Sequence, residues 1–173
     1  SALFEEYKHE IPVVEIEGRE VARHRITPEE FRGWLERAAR LRPATNADAK
    51  EVRALIFSVL REYGLTPDPE GTDRDLDDIE ANYLPDGLFD VLVEDGRIIG
   101  TVGVYPKGEG VCELRKMYLE RNARGRGLGR RMLEHACARA RELGFRSMEL
   151  ETAGALKEAI SLYIAWGFRP VER

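Results

Sequence analysis

The sequence contains few cysteines and no long apolar run, and both shortages narrow the class of protein. Only Cys112 and Cys137 occur among 173 residues, and they form neither a CxxC pair nor a metal-ligand spacing. Reduced thiols in a cytoplasmic protein without a bound metal are therefore expected. No apolar run approaches the ~20 residues that cross a bilayer. The N-terminal SALFEEYKHE is too acidic for a signal peptide, so we expect no membrane partner.

Two familiar phosphate-binding motifs are missing or incomplete. No Gly-Lys-Ser or Gly-Lys-Thr triplet occurs, which argues against a P-loop. GRGLGR, residues 125–130, approaches the dinucleotide fingerprint G-x-G-x-x-G, but its third glycine comes one position early. Glu149 and Glu151 lie about twenty residues further on, where a ribose-binding acid would, yet too few residues follow for the second half of a Rossmann sheet.

Positive charge is concentrated in the last third of a chain whose formal net charge is −5. Residues 111–173 hold thirteen Lys and Arg against eight Asp and Glu, whereas residues 44–110 hold six against fifteen. A nucleic-acid-binding domain is usually basic throughout, so we expect no nucleic-acid partner. Locally concentrated basic charge suits a small anionic ligand instead.

From about residue 44 onward, the residue patterns predict an α/β fold with a sheet of mixed direction. Apolar spacing and glycine stops predict helices over roughly 46–63, 128–143 and 156–166, and a short helix near 76–82 within an acidic loop. Strands are predicted at 89–94, 97–105, 111–119 and 147–152, and Asp95-Gly96 is typical of a two-residue hairpin. The strand–helix–strand unit over 111–152 should be parallel and right-handed.

The first 43 residues are predicted to form a small ββα segment, so the chain divides into 1–43 and 44–173. Two short strands are expected within 12–26, around Glu17-Gly18. Thr27-Pro28 is typical of a helix start, and this helix is predicted to run to about Ala39 and to be ended by Arg42-Pro43.

Five arginines and three glycines lie in ERNARGRGLGRRMLEHA, residues 120–136, between a predicted strand and a predicted helix. A helix N-terminus exposes unpaired N–H groups that bind anions, glycines let a ligand approach the backbone, and arginines pair with phosphate. A solvated basic loop is the alternative. The conjunction favours a pyrophosphate site formed by Arg124, Gly125, Arg126, Gly127, Leu128, Gly129 and Arg130.

The spacing Arg124-x-x-Gly127-x-Gly129 resembles the R/Q-x-x-G-x-G/A signature of the GNAT superfamily of N-acetyltransferases, in which it holds the pyrophosphate of acetyl-CoA. LKEAISLYIAWGF, residues 156–168, is similar to that superfamily's A-x-x-x-Y-x-x-x-G-F helix. The resemblance implies a GNAT-type mixed central sheet flanked by helices. It also implies direct attack of an amine on acetyl-CoA, with the acetyl group moving to the amine.

The resemblance also assigns roles to residues. Backbone groups of Met117, Tyr118 and Leu119 would hold the thioester. Glu113 would take the proton of the amine, unless it is an ordinary surface carboxylate of its strand. Tyr163 would protonate the departing thiolate, unless it only packs in the core. A CoA-binding regulatory or scaffold module without transfer is the alternative function.

The acceptor is expected to be a small-molecule or peptide amine. An acidic stretch lies in the region where the superfamily builds its acceptor side, and it would attract a cationic amine. A solvated acidic loop is the other interpretation of this stretch, which contains Asp68, Glu70, Asp73, Asp75, Asp77, Asp78 and Glu80.

Two features depart from the superfamily pattern. Only five residues follow Phe168, where a GNAT sheet usually ends in an antiparallel pair of strands. The segment YKHEIPVVEIEGREVARHRITPEEFRGWL resembles the C-terminal ββα half of a glutaredoxin-like thioredoxin fold, in which Ile11-Pro12 would be cis; the half that carries CxxC is absent, so redox activity is not implied. The N-terminal strands are expected either to dock on the GNAT sheet or, as the favoured alternative, to form a symmetric homodimer.

Overall fold

The computed structural model describes residues 13–16, 19–23, 27–29 and 38–171. Two N-terminal strands, β1 (Val13–Ile16) and β2 (Arg19–Arg23), pair antiparallel, as predicted. Pro28 and Glu29 are helical. The loop between the strands, Ile11-Pro12 and most of the predicted helix lie outside the described residues. The glutaredoxin-like resemblance, and the docking or dimer that rests on it, therefore stay predictions.

A mixed five-stranded sheet confirms the predicted fold class. Its strand order is β3-β4-β5-β6-β7. The β5–β6 pair is antiparallel and the β6–β7 pair is parallel, and Asp95 and Gly96 of the β4–β5 hairpin both have positive φ, at 50° and 76°, as a two-residue turn requires. The strands are β3 (Arg40–Pro43), β4 (Leu88–Glu94), β5 (Arg97–Gly108), β6 (Val111–Leu119) and β7 (Ser147–Leu150).

Four α-helices accompany this sheet in the described part of the chain: α1 (Ala49–Glu62), α2 (Ile79–Tyr83), α3 (Leu128–Glu142) and α4 (Lys157–Trp166). Helix α3 connects β6 to the parallel β7, which confirms the strand–helix–strand unit. Short 3-10 turns occupy Asn46–Asp48, Arg74–Asp77 and Arg121–Ala123. None of the described helices is both long and apolar enough to cross a membrane.

The core forms where the apolar faces of the helices meet the sheet. Helix α1 buries Val52 and Ile56 in one cluster with Phe89 of β4 and Tyr83 of α2. Helix α3 buries its own apolar stripe, including Met132. This helical periodicity is the pattern from which the helices were predicted.

Strand β3 corrects one prediction. Arg42-Pro43 does not simply end a helix, because Arg40–Pro43 lies at one end of the sheet as β3. The amide of Ala44 donates to the carbonyl of Phe89 at 2.9 Å, and a proline is tolerated on an edge strand. Ala39 is not helical either. The larger of the chain's two compact units contains Leu41–Val93 and Ile98–Arg173, while the division between 43 and 44 stays a prediction.

Candidate active site

A cavity of about 430 Å³ opens beside β6 within the larger unit. Strand β7 pairs only with Val111–Leu114 of β6 and ends at Leu150. The second half of β6 therefore faces the cavity instead of a neighbouring strand on this side. Residues 151–153, which follow β7, form another part of the wall. The divergence of two parallel strands thus creates the cavity.

Four of the residues predicted for the site line this cavity: Glu113, Met117, Tyr118 and Tyr163. The first three come from β6 and the fourth from α4. Leu119 ends β6, and its carbonyl accepts a hydrogen bond from Arg124 Nε at 3.0 Å. The structure thus brings together residues that are 50 positions apart in the sequence.

A β-bulge interrupts β6 at the cavity wall. Thr101 of β5 pairs with Tyr118, but Gly103 pairs with Arg115, so the register shifts between them. Two residues of β6, Lys116 and Met117, therefore oppose a single residue of β5. A bulge leaves backbone groups outside the regular ladder and turns side chains into new directions. Backbone groups at this point of the wall can accordingly serve a ligand.

Glu113 lies at the cavity wall in a cationic setting. Its side chain is 12 % exposed and accepts a hydrogen bond from Arg115 at 2.8 Å. The Arg115 guanidinium in turn lies 4.1 Å from the centre of the Tyr105 ring, which fixes its plane. Lys107 Nζ is 4.0 Å from the same carboxylate. These contacts hold the Glu113 carboxylate in one place as a hydrogen-bond acceptor.

Tyr163 is buried in the part of the cavity wall that α4 provides and remains a phenol at neutral pH. Burial, with a smaller contribution from Tyr118, raises the pKa of Tyr163 to about 12. Gly167 ends α4 with φ 114°, and this left-handed residue returns the chain so that the Phe168 amide donates to the Tyr163 carbonyl at 3.0 Å. The Phe168 ring then packs against the Tyr163 ring at 5.9 Å. The Gly-Phe end of the helix thus fixes the position of the phenol.

The glycine-rich segment begins α3 and provides a space for an anion. Gly127 is the N-cap residue, with φ 77° and no side-chain cap. Its carbonyl accepts the first hydrogen bond of the helix, which the Arg131 amide donates at 3.1 Å. The amides of residues 128–130 precede that bond and are available to a ligand. A Cβ at Gly125 or Gly127 would meet nothing within 4 Å. Available amides beside open space suit a pyrophosphate.

Arg124 does not project into this space. Its guanidinium forms a two-point ion pair with Glu62 at the end of α1, at 2.6 and 3.1 Å, and contacts the Tyr63 hydroxyl at 3.2 Å. Arg121 donates to the same carboxylate at 3.0 Å. Arg124 therefore positions the loop against α1 and β6. No sequence pattern indicated Glu62, because it lies 62 residues from its partner and belongs to an ordinary helical turn.

The acidic stretch is tied into the protein at most of its positions. Asp77 pairs with Arg53, and Asp78 caps α2 by accepting from the Ala81 amide at 3.0 Å. Asp73 is only 5 % exposed and pairs with Lys116. Asp73 therefore fits neither interpretation of the acidic stretch. It is a buried partner of Lys116 in β6, not part of a solvated loop and not an exposed carboxylate that could attract an amine.

Comparison with known proteins places this geometry in a family. The family described as "Acetyltransferase (GNAT) family" matches residues 54–168. An uncharacterized N-acetyltransferase of Escherichia coli (strain K12) is 37% identical over 138 residues, covering 76% of this chain and 83% of that protein.

Solved structures share the fold. An acetyltransferase of the GNAT family from Staphylococcus aureus has a TM-score of 0.74 at 24% identity, covering 79% of this chain and 87% of that one. An acetyltransferase from Clostridium acetobutylicum, determined with acetyl-CoA, has a TM-score of 0.64 at 21% identity, covering 78% and 92%. At these identities the likeness concerns the fold.

Proposed function

We propose that this chain, which belongs to the GNAT acetyltransferase family, transfers the acetyl group of acetyl-CoA to an amine bound in the cavity between β6 and α4. The activity class, N-acetyltransferase, follows from the family. The observation that carries the assignment of the site is the cavity itself, because Glu113 and Tyr163 line it together with the bulged backbone of β6. A CoA-binding module without transfer would not need this arrangement.

The residues present fit acetyl-CoA. The amides at the start of α3 would bind the pyrophosphate, and the helix dipole favours negative charge there. Open space beside Gly125 and Gly127 would admit the phosphates close to the backbone. Arg124 would keep the loop in place through Glu62. When bound, acetyl-CoA supplies the activated acetyl thioester.

Three tasks then fall to residues of the cavity. Backbone groups near Met117 and Tyr118 would hold the thioester carbonyl at the bulge. Glu113 would take a proton from the amine, because a protonated amine has no lone pair for the attack. Tyr163 would give its proton to the departing thiolate. Each of these groups lies on a defined strand or helix, which favours accurate positioning.

The acceptor class is a small-molecule or peptide amine. A panel of amines incubated with the protein and acetyl-CoA should release CoA thiol with at least one member, while water alone should give only slow release. Binding of acetyl-CoA without thiol release for any amine would favour the alternative, a CoA-binding regulatory or scaffold module. Mass spectrometry of the product would identify the acetylated nitrogen.

Gly129→Ala should be tolerated, because the superfamily signature admits alanine at this position, and it is the matched control for Gly127→Ala. A Cβ at Gly129 would meet only Leu162, at an ordinary 3.6 Å, so the added methyl has room against the protein. By calorimetry, Kd for acetyl-CoA should stay within about twofold of the parent in Gly129→Ala and rise about tenfold, equivalent to about 1.4 kcal/mol, in Gly127→Ala. The melting temperature of Gly129→Ala should stay within about 2 °C of the parent.

Gly144→Ala is the matched control for this glycine series. Gly127 and Gly144 both have positive φ, at 77° and 88°, but Gly144 follows the far end of α3. Both alanine variants should lose stability, since the left-handed region costs about 1–2 kcal/mol for a residue with a Cβ. Only Gly127→Ala should also weaken acetyl-CoA binding. An unchanged Kd in Gly127→Ala would remove the pyrophosphate from this loop.

A further inference from the structure

We propose that Lys116 is a positioning residue for acetyl transfer, because its buried ion pair with Asp73 holds the β6 bulge in the conformation that receives the thioester carbonyl. The inference rests on the proposed function of the cavity. It adds a residue whose ammonium group performs no proton transfer and instead fixes the backbone that follows it.

This ion pair is buried, unlike the Arg53–Asp77 pair of the same acidic stretch. The side chains of Lys116 and Asp73 are only 9% and 7% exposed, whereas the Arg53 and Asp77 side chains are 36% and 55% exposed. Lys116 Nζ also donates to the Thr72 carbonyl at 2.8 Å and lies 3.4 Å from Asp75 Oδ1. The ammonium group is thus enclosed by the acidic loop.

The two carboxylates around Lys116 are themselves held in place. Asp73 Oδ2 accepts from the Asp68 amide at 2.9 Å. Asp75 Oδ2 accepts from the Tyr83 hydroxyl at 2.5 Å, and Tyr83 is fully buried in the core cluster. Lys116 is therefore anchored to the core through the acidic loop and not merely to a flexible surface segment.

The backbone of Lys116 explains why such anchoring is needed. Its φ is 51°, in the left-handed region that a residue with a Cβ rarely adopts. The Thr101 hydroxyl donates to the Lys116 carbonyl at 2.6 Å and holds the same residue from the β5 side. A strained conformation persists only where surrounding contacts determine it. The buried ion pair with Asp73 and the hydrogen bond from Thr101 are the contacts that hold Lys116 in this conformation.

The consequence for transfer lies in the next two residues. Met117 and Tyr118 follow the strained residue directly and line the cavity. The direction of their backbone groups is therefore set by the dihedral angles at Lys116. If the bulge relaxed toward a regular strand, those groups would rotate away from the thioester, and small misplacements of this kind cost about 10²-fold in rate.

A purely structural ion pair would predict a different pattern of mutational effects. Removing Lys116 alone leaves two buried carboxylates, Asp73 and Asp75, without their cation, which destabilises the protein. Replacing Asp73 as well leaves only Asp75 without the ammonium group, and Asp75 keeps its hydrogen bond from the Tyr83 hydroxyl, so part of the lost stability should return. If the ion pair also positions the bulge, then part of the stability returns in the double variant but catalytic competence does not.

The experiment compares Lys116→Met, Asp73→Asn and the double variant with the parent protein. We expect Lys116→Met to lower Tm by about 10 °C and the double variant to recover part of that loss. All three should bind CoA with Kd within about twofold, because the pyrophosphate site is untouched, while kcat falls about 10²-fold in Lys116→Met and in the double variant. Arg53→Met, which removes an ion pair from the same acidic loop away from the bulge, should leave kcat unchanged.

A spectroscopic measurement makes the test independent of the acceptor. The carbonyl ¹³C resonance of bound acetyl-CoA labelled at the acetyl carbonyl should move downfield in the parent protein, through hydrogen bonding at the bulge, and this shift should be lost in the double variant. Retention of the parent shift and kcat in the double variant would overturn the proposal. Absence of any shift in the parent, or of thiol release with every amine, would instead count against the proposed function.

Discussion

Tyr163→Phe is expected to lower kcat by about 10²–10⁴-fold, the range typical of a general acid, while Kd for acetyl-CoA changes less than about twofold. The substitution removes one oxygen atom and keeps the ring that packs against Phe168, so the fold should persist. Burial raises the pKa of Tyr163 to about 12. Burial in the same setting would also raise the pKa of a departing thiolate, which would reduce the difference in pKa between the phenol and the thiol.

Tyr118→Phe is the matched control for Tyr163→Phe. Tyr118 lines the same cavity, and burial, with Asp73 and Asp75 nearby, also raises its pKa to about 12. Pre-steady-state release of CoA should be slow only in the Tyr163 variant. A full rate in that variant together with a large loss in Tyr118→Phe would transfer the acid role to Tyr118 and leave Tyr163 as a packing residue.

The pH profile of kcat is a second test of Tyr163 as the proton donor. A phenol with a pKa of about 12 keeps its proton throughout the neutral and mildly alkaline range. The parent enzyme should therefore show no fall in kcat from loss of this proton below about pH 10, the ordinary pKa of tyrosine. A fall with a midpoint near pH 8 would require a different proton donor.

Local patterns in the sequence were sufficient to predict most of the sheet and the start of α3. The hairpin at Asp95-Gly96 and the helix stop at Gly167 depend on neighbouring residues alone, and both occur as predicted. Strand β3 could not be predicted in this way. Its four residues, RLRP, have no apolar alternation and no buried side chain, and they become a strand only because β4 offers a partner, as tertiary context overrides weak propensity.

The contacts that shape the candidate site lie beyond local patterns. Glu62 and Arg124 are 62 residues apart, and Asp73 and Lys116 are 43 residues apart. Within the sequence, Lys116 is one charged residue in an alternating strand, and its positive φ has no local signal such as glycine or asparagine. Its role becomes visible only when the acidic loop folds over β6. The motif therefore indicated the co-substrate, whereas the supporting contacts required the structure.

Glu113→Gln is expected to lower kcat/KM for the amine by about 10²–10⁴-fold at pH 7, because the variant can no longer take the proton of a bound ammonium group. An ordinary alkyl amine has a pKa of about 10.4, so only a small neutral fraction is present in solution at that pH. The Glu113→Gln variant must rely on this fraction. Its deficit should therefore shrink by about tenfold for each pH unit up to that pKa.

Two matched variants separate the base from its neighbours. Glu149 is the partner of Glu113 across β6 and β7 and lies outside the cavity wall, so Glu149→Gln should keep the parent kcat/KM at every pH. Glu151 lies in the wall and is the other carboxylate that could take the proton. A pH-independent loss in Glu113→Gln would indicate a role in holding Arg115, and a large, pH-dependent loss in Glu151→Gln alone would move the base to Glu151. The prediction for Glu113 holds only if its variant alone shows a deficit that rising pH repairs.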